Sequence, residues 1–408
     1  MFDQYLARRY RKSVRPRPQD YLVKDNAAIV GIGSTEFSKD SGRSELQMVC
    51  EAIKLAVDDA GLEMEDIDGM VRFVMDFTDE MHIASSLGIP ELDYFGECGW
   101  GGGAGCAMVM HAAAAVVTGA AKYVVCYRTM NERSGRRYGH TPGVEFTQTA
   151  PNDQFGFFMP FGLSSAPIWM AMFATRYNHE YGVKPEQIGS IPVLWRENAC
   201  QNPNALFYGK PITMQDYLES RMVVDPLRLF DCCVDTDAAV AFIVTTSERA
   251  RDLKQRPAYI LGAAQGTATQ GELMTSYYRP KISMLPESWY TGQELWRTTG
   301  VTPADVDVAQ FYDAFSYMVP MQMEEYGFCG PGEGAAFCEG GDRLRVGGQL
   351  PCNTSGGQLS EAYVHGMNLI MEAVRQIRGT ARIQVPDAEL SFVTSAPAVP
   401  TSAILLRR

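Results

Sequence analysis

Ala60-Gly-Leu-Glu-Met-Glu-Asp-Ile-Asp68 returns in the second half of the chain as Thr299-Gly-Val-Thr-Pro-Ala-Asp-Val-Asp307. What flanks the two copies is also alike. Before the first, Ala27-Ala-Ile-Val-Gly-Ile-Gly33 is an apolar run closed by glycine, as for a buried strand. Ser44 to Gly61 then carries Leu46, Val49, Ile53, Ala56 and Val57 at helical spacing. A second strand candidate follows at Gly69–Met75. Before the second copy, Pro257-Ala-Tyr-Ile-Leu-Gly-Ala263 reads as a strand and a helix ends at Trp296–Gly300, with Val308–Phe311 as the next strand. Strand, helix, acidic turn and strand therefore occur twice, which predicts an α/β fold built by duplication.

A third correspondence strengthens the repeat. Gly99-Trp-Gly-Gly-Gly-Ala-Gly105 opens a small-residue helix that runs to Thr118-Gly119, and Gly356-Gly357 precedes a helix that runs to Arg378-Gly379. Each helix ends on a glycine suited to a left-handed C-cap. An Ala-rich helix such as the one through Ala112–Val117 packs closely on all sides and belongs in the middle of the molecule. Between the repeats, about 128–229, the chain is rich in Asn, Pro and aromatics with little strand periodicity, and reads as an inserted loop domain. The expected organisation is an N-terminal arm (1–25), a first half with the insertion (26–250) and a second half (251–408).

With 408 residues the chain has room for two such halves around a large core. It is 46% hydrophobic and 21% charged, a globular composition, and its net charge of -12 disfavours nucleic acid and anionic membrane surfaces as partners. Ten cysteines are scattered, with only Cys232-Cys233 adjacent, and five histidines show no zinc spacing. No metal site of the chain's own is expected. The basic N-terminus lacks an apolar signal core and no stretch of 18 uninterrupted apolar residues occurs, so the expected location is the cytoplasm.

General motifs do little. Gly101-Gly-Gly-Ala-Gly105 is neither a dinucleotide fingerprint nor a phosphate loop, and there is no G-x-S-x-G elbow. Asn131-Glu-Arg-Ser-Gly-Arg-Arg137 is the main basic cluster, read either as a solvated loop or as a contact to coenzyme A phosphates.

The duplicated plan and the run NTSGGQLSEAYVHGMNLIMEAVRQIRG (353–379) resemble the thiolase superfamily, in its sterol-carrier or lipid-transfer-protein-like branch. The resemblance spans about residues 26–408 and implies a duplicated five-layer α-β-α-β-α fold. Blocks RSEL (43–46), NERSG (131–135), YGKPIT (208–213), LRLFDCC (227–233), RARDLKQRP (249–257), SYYRP (276–280) and GGQLSEAYVHGMN (356–368) are similar to the actinobacterial steroid side-chain-cleaving aldolases.

Departures from the thiolase pattern carry the chemistry. A thiolase needs a nucleophilic cysteine at the start of its central helix; counting back from Thr118-Gly119 places Gly103 there, with Cys106 one turn on as a small buried hydrophobe. The second thiolase cysteine would fall in TSAPAVPTSA (394–403), which has none. Acyl-enzyme chemistry is therefore not expected. The His-Asp-Cys-Phe or Asn-Glu-Ala-Phe motif of thiolases becomes Tyr312-Asp-Ala-Phe315, and the Gly-His-Pro motif becomes Ala362-Tyr-Val364. A lone tyrosine at a strand end is usually core, but two that replace two site residues point to a reaction.

The resemblance implies what that reaction is. A retro-aldol cleavage β to a thioester expels the same enolate that a thiolase oxyanion site stabilises, and it needs no nucleophile. Tyr312 and Tyr363 are the expected catalytic pair, one polarising the thioester oxygen and one accepting the carbinol proton. Asp313, Glu361 and His365 are candidate supports, and Gly103, Gly356 and Gly357 candidate substrate-binding positions. The implied substrate is a steroid acyl-CoA, 17-hydroxy-3-oxo-4-pregnene-20-carboxyl-CoA, giving an androstenedione-type 17-ketosteroid and propionyl-CoA. No cofactor of the chain's own is implied. Implied partners are a second copy, as a homodimer, and a small OB-fold and zinc-ribbon domain from an enoyl-CoA hydratase, which would carry the zinc. Two rivals fit the same residues: an aldolase that releases acetyl-CoA from a bile-acid CoA ester, and a non-catalytic lipid-carrier or scaffold subunit.

Overall fold

The computed structural model describes residues 21–99, 101–135, 155–268 and 270–408. Most of the expected N-terminal arm, residues 1–20, and Arg136 and Arg137 of the basic cluster lie outside the described residues. Where the arm is described it is tied down: Tyr21 donates its hydroxyl to the Ala263 carbonyl, and Lys24 Nζ donates to the Thr299 carbonyl at 2.7 Å.

Strands β1 (Ala27–Ser34), β2 (Gly69–Phe73), β3 (Tyr94–Cys98) and β4 (Val124–Asn131) precede a short hairpin of β5 (Met222–Val224) and β6 (Leu227–Arg228). They are followed by β7 (Asp237–Thr246), β8 (Ala258–Gly266), β9 (Val308–Gln310), β10 (Leu390–Thr394) and β11 (Thr401–Arg407). Seven helices matter for the site: α1 (Glu45–Ala60), α2 (Gly105–Thr118), α3 (Ala166–Tyr181), α4 (Pro185–Gln201), α5 (Pro286–Thr299), α6 (Met318–Tyr326) and α7 (Met367–Arg378).

Among the described residues nine strands form one sheet in the order β3-β2-β4-β7-β1-β8-β11-β10-β9. The pairing senses repeat from the middle outward. β1 pairs β7 antiparallel, β7 pairs β4 antiparallel and β4 pairs β2 parallel. Likewise β8 pairs β11 antiparallel, β11 pairs β10 antiparallel and β10 pairs β9 parallel. The halves meet at β1 and β8 through only Ala28 with Tyr259 and Ile29 with Ala258.

Side-chain alternation then sorts the layers. On β1, Ala28 and Val30 face the cluster that holds α1, while Ala27 and Ile29 face the central cluster around α2 and α7. On β11, Ala403 and Leu405 face the cluster that holds Leu295 of α5, while Ile404 and Leu406 face the centre. The sequence of layers is helix, strands of the first half, central helices, strands of the second half, helix, with the two sets of strands joined at β1 and β8.

Local chemistry sets the helix ends. Ser44 caps α1 by accepting from the Gln47 N–H at 3.1 Å, and Gly61 ends it in the left-handed region at φ 73°. Gly31 and Gly33 let α1 press on β1, because a Cβ at either position would lie 2.2 Å from the Ala56 or Ala52 carbonyl oxygen. Gly119 and Gly379 end the two central helices, both at φ 77°.

The insertion differs from expectation in two ways. Arg128 to Asn131 complete β4, paired with Val240 to Asp237, so the chain leaves the sheet later than residue 128. It also contains the long helices α3 and α4 rather than loop alone. Helix α4 is buried at Ile188, Ile191, Pro192, Leu194, Trp195 and Ala199 and carries Pro192 inside it, so it shows no single apolar stripe.

Candidate active site

Tyr312 stands two residues past β9, and side chains rather than a strand ladder hold its backbone. Thr394 Oγ1 accepts its N–H at 2.8 Å, and Gln322 of α6 donates to its carbonyl at 2.7 Å. Thr394 in turn donates to Gln322 Oε1 at 2.6 Å, which closes a ring of bonds around one peptide. Tyr363 comes from the segment between a π-helical turn, Gly357–Glu361, and α7. Its N–H donates to Thr236 Oγ1 at 3.0 Å. The two hydroxyls then lie 3.2 Å apart, in hydrogen-bonding range.

The position opposite the pair is Gly102 rather than the expected Gly103. A Cβ on Gly102 would lie 2.0 Å from the Tyr312 hydroxyl, so the phenol fills the space of a side chain there. A Cβ on Gly103 would instead lie 1.8 Å from the Pro400 carbonyl oxygen, inside packed backbone. Gly103 therefore does not widen a pocket. Both glycines belong to a 3₁₀ turn, Gly101–Ala104, that precedes α2. Cys106 is buried as expected. Its N–H donates to Ser395 Oγ at 2.8 Å, and burial pushes its thiol up to about 12.

The three proposed supports part company. Asp313 is fully buried and accepts from the Gln358 N–H at 2.9 Å and the Leu359 N–H at 3.2 Å, so it anchors the turn that leads to Tyr363. Burial raises its carboxyl to about 7, against those N–H groups, which lower it. Glu361 is spent on Ser355 Oγ, Asn202 Nδ2 and Asn368 Nδ2 at 2.7, 3.0 and 2.9 Å and ties the insertion to the second half. His365 belongs with the phenols: its ring centroid is 4.8 Å from that of Tyr363 and 4.8 Å from that of Phe73. Gly356 and Gly357 are demanded by geometry. They take φ 108° and 58°, and a Cβ on Gly357 would lie 2.3 Å from Asp313 Oδ2. Their role in the structure is to shape the turn.

Behind His365 runs a buried chain. Arg128 Nε donates to His365 Nδ1 at 3.3 Å, and Arg128 also donates to Asp76 Oδ1 at 2.8 Å. Burial, and secondarily the Arg128 charge, hold the imidazole well below its ordinary range, so it stays neutral with Nδ1 as acceptor. Burial raises Asp76 to about 6, while Arg128 opposes the rise.

Burial also raises both phenols well above the ordinary tyrosine range; their mutual hydrogen bond relieves Tyr312 only in part. Neither phenol rests as a phenolate. Burial thus disfavours the phenolate at both positions, and a base role at either one calls for a neighbour that takes up the proton.

One acidic residue escaped the reading of the sequence. Glu132, the first residue after β4, is only 3% exposed, and its Oε2 has no hydrogen-bond partner among the described residues. Burial, then Asp235, raise it to about 8, with Arg128 opposing. Its charge acts on both Tyr312 and Tyr363. It was hidden inside a stretch read for its arginines. The signal for it is its place at the exit of a buried strand, inside the turn in which the Gly135 N–H closes on the Asn131 carbonyl at 2.8 Å.

Comparison with known proteins bears on this geometry. The family described as "Thiolase C-terminal domain-like" matches residues 278–406. The steroid side-chain-cleaving aldolase of Thermomonospora curvata is 50% identical over 381 residues, covering 93% of this chain and 97% of that protein. The 17-hydroxy-3-oxo-4-pregnene-20-carboxyl-CoA lyase of Mycobacterium tuberculosis is 49% identical over 389 residues, covering 94% of this chain and all of that protein, 100%. A solved structure titled Ltp2-ChsH2(DUF35) aldolase superposes with a TM-score of 0.91 at 49% identity, covering 94% of this chain and 98% of that one.

Proposed function

The chain belongs to the thiolase superfamily, among the steroid side-chain-cleaving aldolases, and on that premise we propose that it breaks a steroid side chain from its ring system by a retro-aldol reaction of a coenzyme A thioester. The observation that carries this reading is the pair of neutral phenols 3.2 Å apart, with the Tyr312 hydroxyl in the space that a side chain at 102 would otherwise fill. One hydrogen-bond donor, the Tyr312 hydroxyl, stands in that space, and the second, that of Tyr363, lies beside it.

Those donors suit the reaction. When the bond between the thioester α-carbon and the carbinol carbon breaks, its electron pair passes into the thioester as an enolate. One phenol donates to the enolate oxygen as charge develops, at no cost in reorganisation because its backbone is already fixed. The other takes the proton of the carbinol while its own proton moves on, which leaves a ketone. His365, neutral and packed at a tilt against the Tyr363 ring, orients that ring. A phenol needs no shift to donate, so the raised range of both tyrosines is compatible with this work.

For the substrate we propose 17-hydroxy-3-oxo-4-pregnene-20-carboxyl-CoA. Carbon 20 of that compound bears a methyl group and the thioester, so it departs as the enolate of propionyl-CoA, and carbon 17 becomes the ketone of an androstenedione-type product. Because the related solved structure is titled as a complex with a DUF35 protein, we propose that this chain also works with such a partner, as a homodimer flanked by two copies. The partner's OB-fold and zinc ribbon, rather than this chain, would hold zinc. Incubation of the complex with the 17-hydroxy thioester, followed by mass spectrometry, is expected to yield propionyl-CoA and the 17-ketosteroid in equal amounts. Acetyl-CoA as the small product would contradict the substrate proposed.

A further inference from the structure

We propose that Glu132, buried at the exit of β4 with a carboxylate oxygen that no group among the described residues binds, is the proton reservoir of the cleavage and serves the two phenols. This rests on the retro-aldol reading above and adds a residue to it.

The proton balance of the reaction calls for such a group. The carbinol O–H bond breaks and its electron pair forms the ketone C=O. The carbon–carbon bond breaks and its pair resides on the enolate, whose α-carbon then takes a proton. One proton leaves oxygen and one proton joins carbon, so the net change is zero and no oxidant or reductant enters. Between those two events the proton must be held somewhere. A phenol raised by burial holds its own proton and passes one on, but it is a poor final acceptor.

The groups around the phenols narrow the choice. Asp313 is occupied by the Gln358 and Leu359 N–H groups; Asp76 binds Arg128 and the Thr129 N–H through Oδ1 and keeps Oδ2 unbound, but its charge is paired with Arg128, and it is Glu132 whose charge acts on the two phenols. His365 already accepts at Nδ1 from Arg128. Cys233 also acts on both phenols, but burial raises its thiol far above neutrality. Glu132 acts on both phenols and keeps a free oxygen.

The charges facing Glu132 set when it can accept. Asp235 and Asp237, at the entry of β7, push its carboxyl up, Arg128 on β4 pulls it down, and burial dominates to leave it near 8. Asp237 is itself fixed by the N–H groups of Ser41, Arg133 and Ser134 at 3.1, 2.8 and 2.9 Å. A charged Glu132 also repels a phenolate at either tyrosine, so one negative charge is shared among three groups. In that sharing, the carboxylate keeps the phenols protonated as donors, and its protonation during the reaction lets the proton return to the enolate carbon. Glu132 thus acts through the tyrosines, as a positioning and proton-holding residue.

The test is the pH profile of kcat/KM for the intact complex, with wild type, Glu132→Gln and Glu132→Asp. Wild type is expected to lose activity as pH falls through about 8, because a protonated Glu132 cannot accept. Glu132→Gln should lower kcat/KM by about 10²-fold and remove that acidic limb. Glu132→Asp should restore a limb, at a shifted pH, with part of the rate. A Glu132→Gln profile of wild-type shape, whatever its height, overturns the inference, since a merely structural residue lowers the rate without removing an ionisation. If the glutamine variant does not assemble, the aspartate variant decides alone: a limb at the wild-type pH overturns the proposal. Tyr312→Phe and Tyr363→Phe measured alongside separate the two levels. Inactive phenylalanine variants beside an unaltered Glu132→Gln sink only the role of Glu132, whereas fully active ones sink the retro-aldol reading itself.

Discussion

Gly102 and Tyr312 are two halves of one fact. The hydroxyl occupies the place of the missing side chain, and the backbone of Gly102 is not in the left-handed region, so alanine is conformationally acceptable there. Gly102→Ala should therefore displace the phenol, lowering cleavage more than tenfold on the order expected for a misplaced donor, with a melting temperature close to wild type. Gly103→Ala should do the reverse of this separation. Its methyl meets the Pro400 carbonyl and costs ~1–3 kcal/mol of stability, read by denaturant unfolding. Equal losses of stability in both variants would refute the assignment of position 102. At this scale the sequence discloses residue identity better than charge state. The tyrosines are legible because they stand where a known motif has other polar groups. Their raised pKa values are not, because burial comes from elements far apart in the chain. Glu132 is hidden for the same reason, since its sequence neighbours are arginines and only the closing of β4 on β7 buries it.

The elements divide into those with local signals and those without. Ser44, Gly61, Gly119 and Gly379 end helices where the sequence places them, because capping is a matter of nearby backbone and one side chain. Helices α3 and α4 lacked such a signal. A helix buried on most sides, with a proline inside, shows neither a stripe nor an unbroken pattern. The turn Gly357–Glu361 is likewise fixed by something distant, the Asp313 carboxylate that binds two of its N–H groups. Asp313→Asn removes one acceptor oxygen and turns an amide donor toward those groups. We expect ~1–3 kcal/mol of lost stability and a fall in kcat/KM, since the turn sets Tyr363. Far-UV circular dichroism should stay unchanged. Wild-type activity with the expected instability would show that Tyr363 does not depend on this turn.

Across the molecule, the site gathers its parts from both repeats. Gly102, Arg128 and Glu132 come from the first half and Tyr312, Tyr363 and His365 from the second, while the sheet joins the halves only through two residue pairs of β1 and β8. Contacts such as Arg128 with His365 and the Cys106 N–H with Ser395 therefore do double duty, closing the halves and aligning the chemistry. The duplication was legible because the acidic turns at 60–68 and 299–307 repeat beside the same helix and strand patterns. The meeting of the halves was not, for no local pattern records which faces will touch. The central claim is that two neutral phenols perform the cleavage. Its most direct measurement is the rate of propionyl-CoA release from the 17-hydroxy steroid thioester by wild type, Tyr312→Phe and Tyr363→Phe, each with its partner and each checked for folding. Each phenylalanine variant should retain the fold and lose about 10²–10³-fold in kcat, as for removal of one preorganised donor; release at the wild-type rate by both variants would contradict the account.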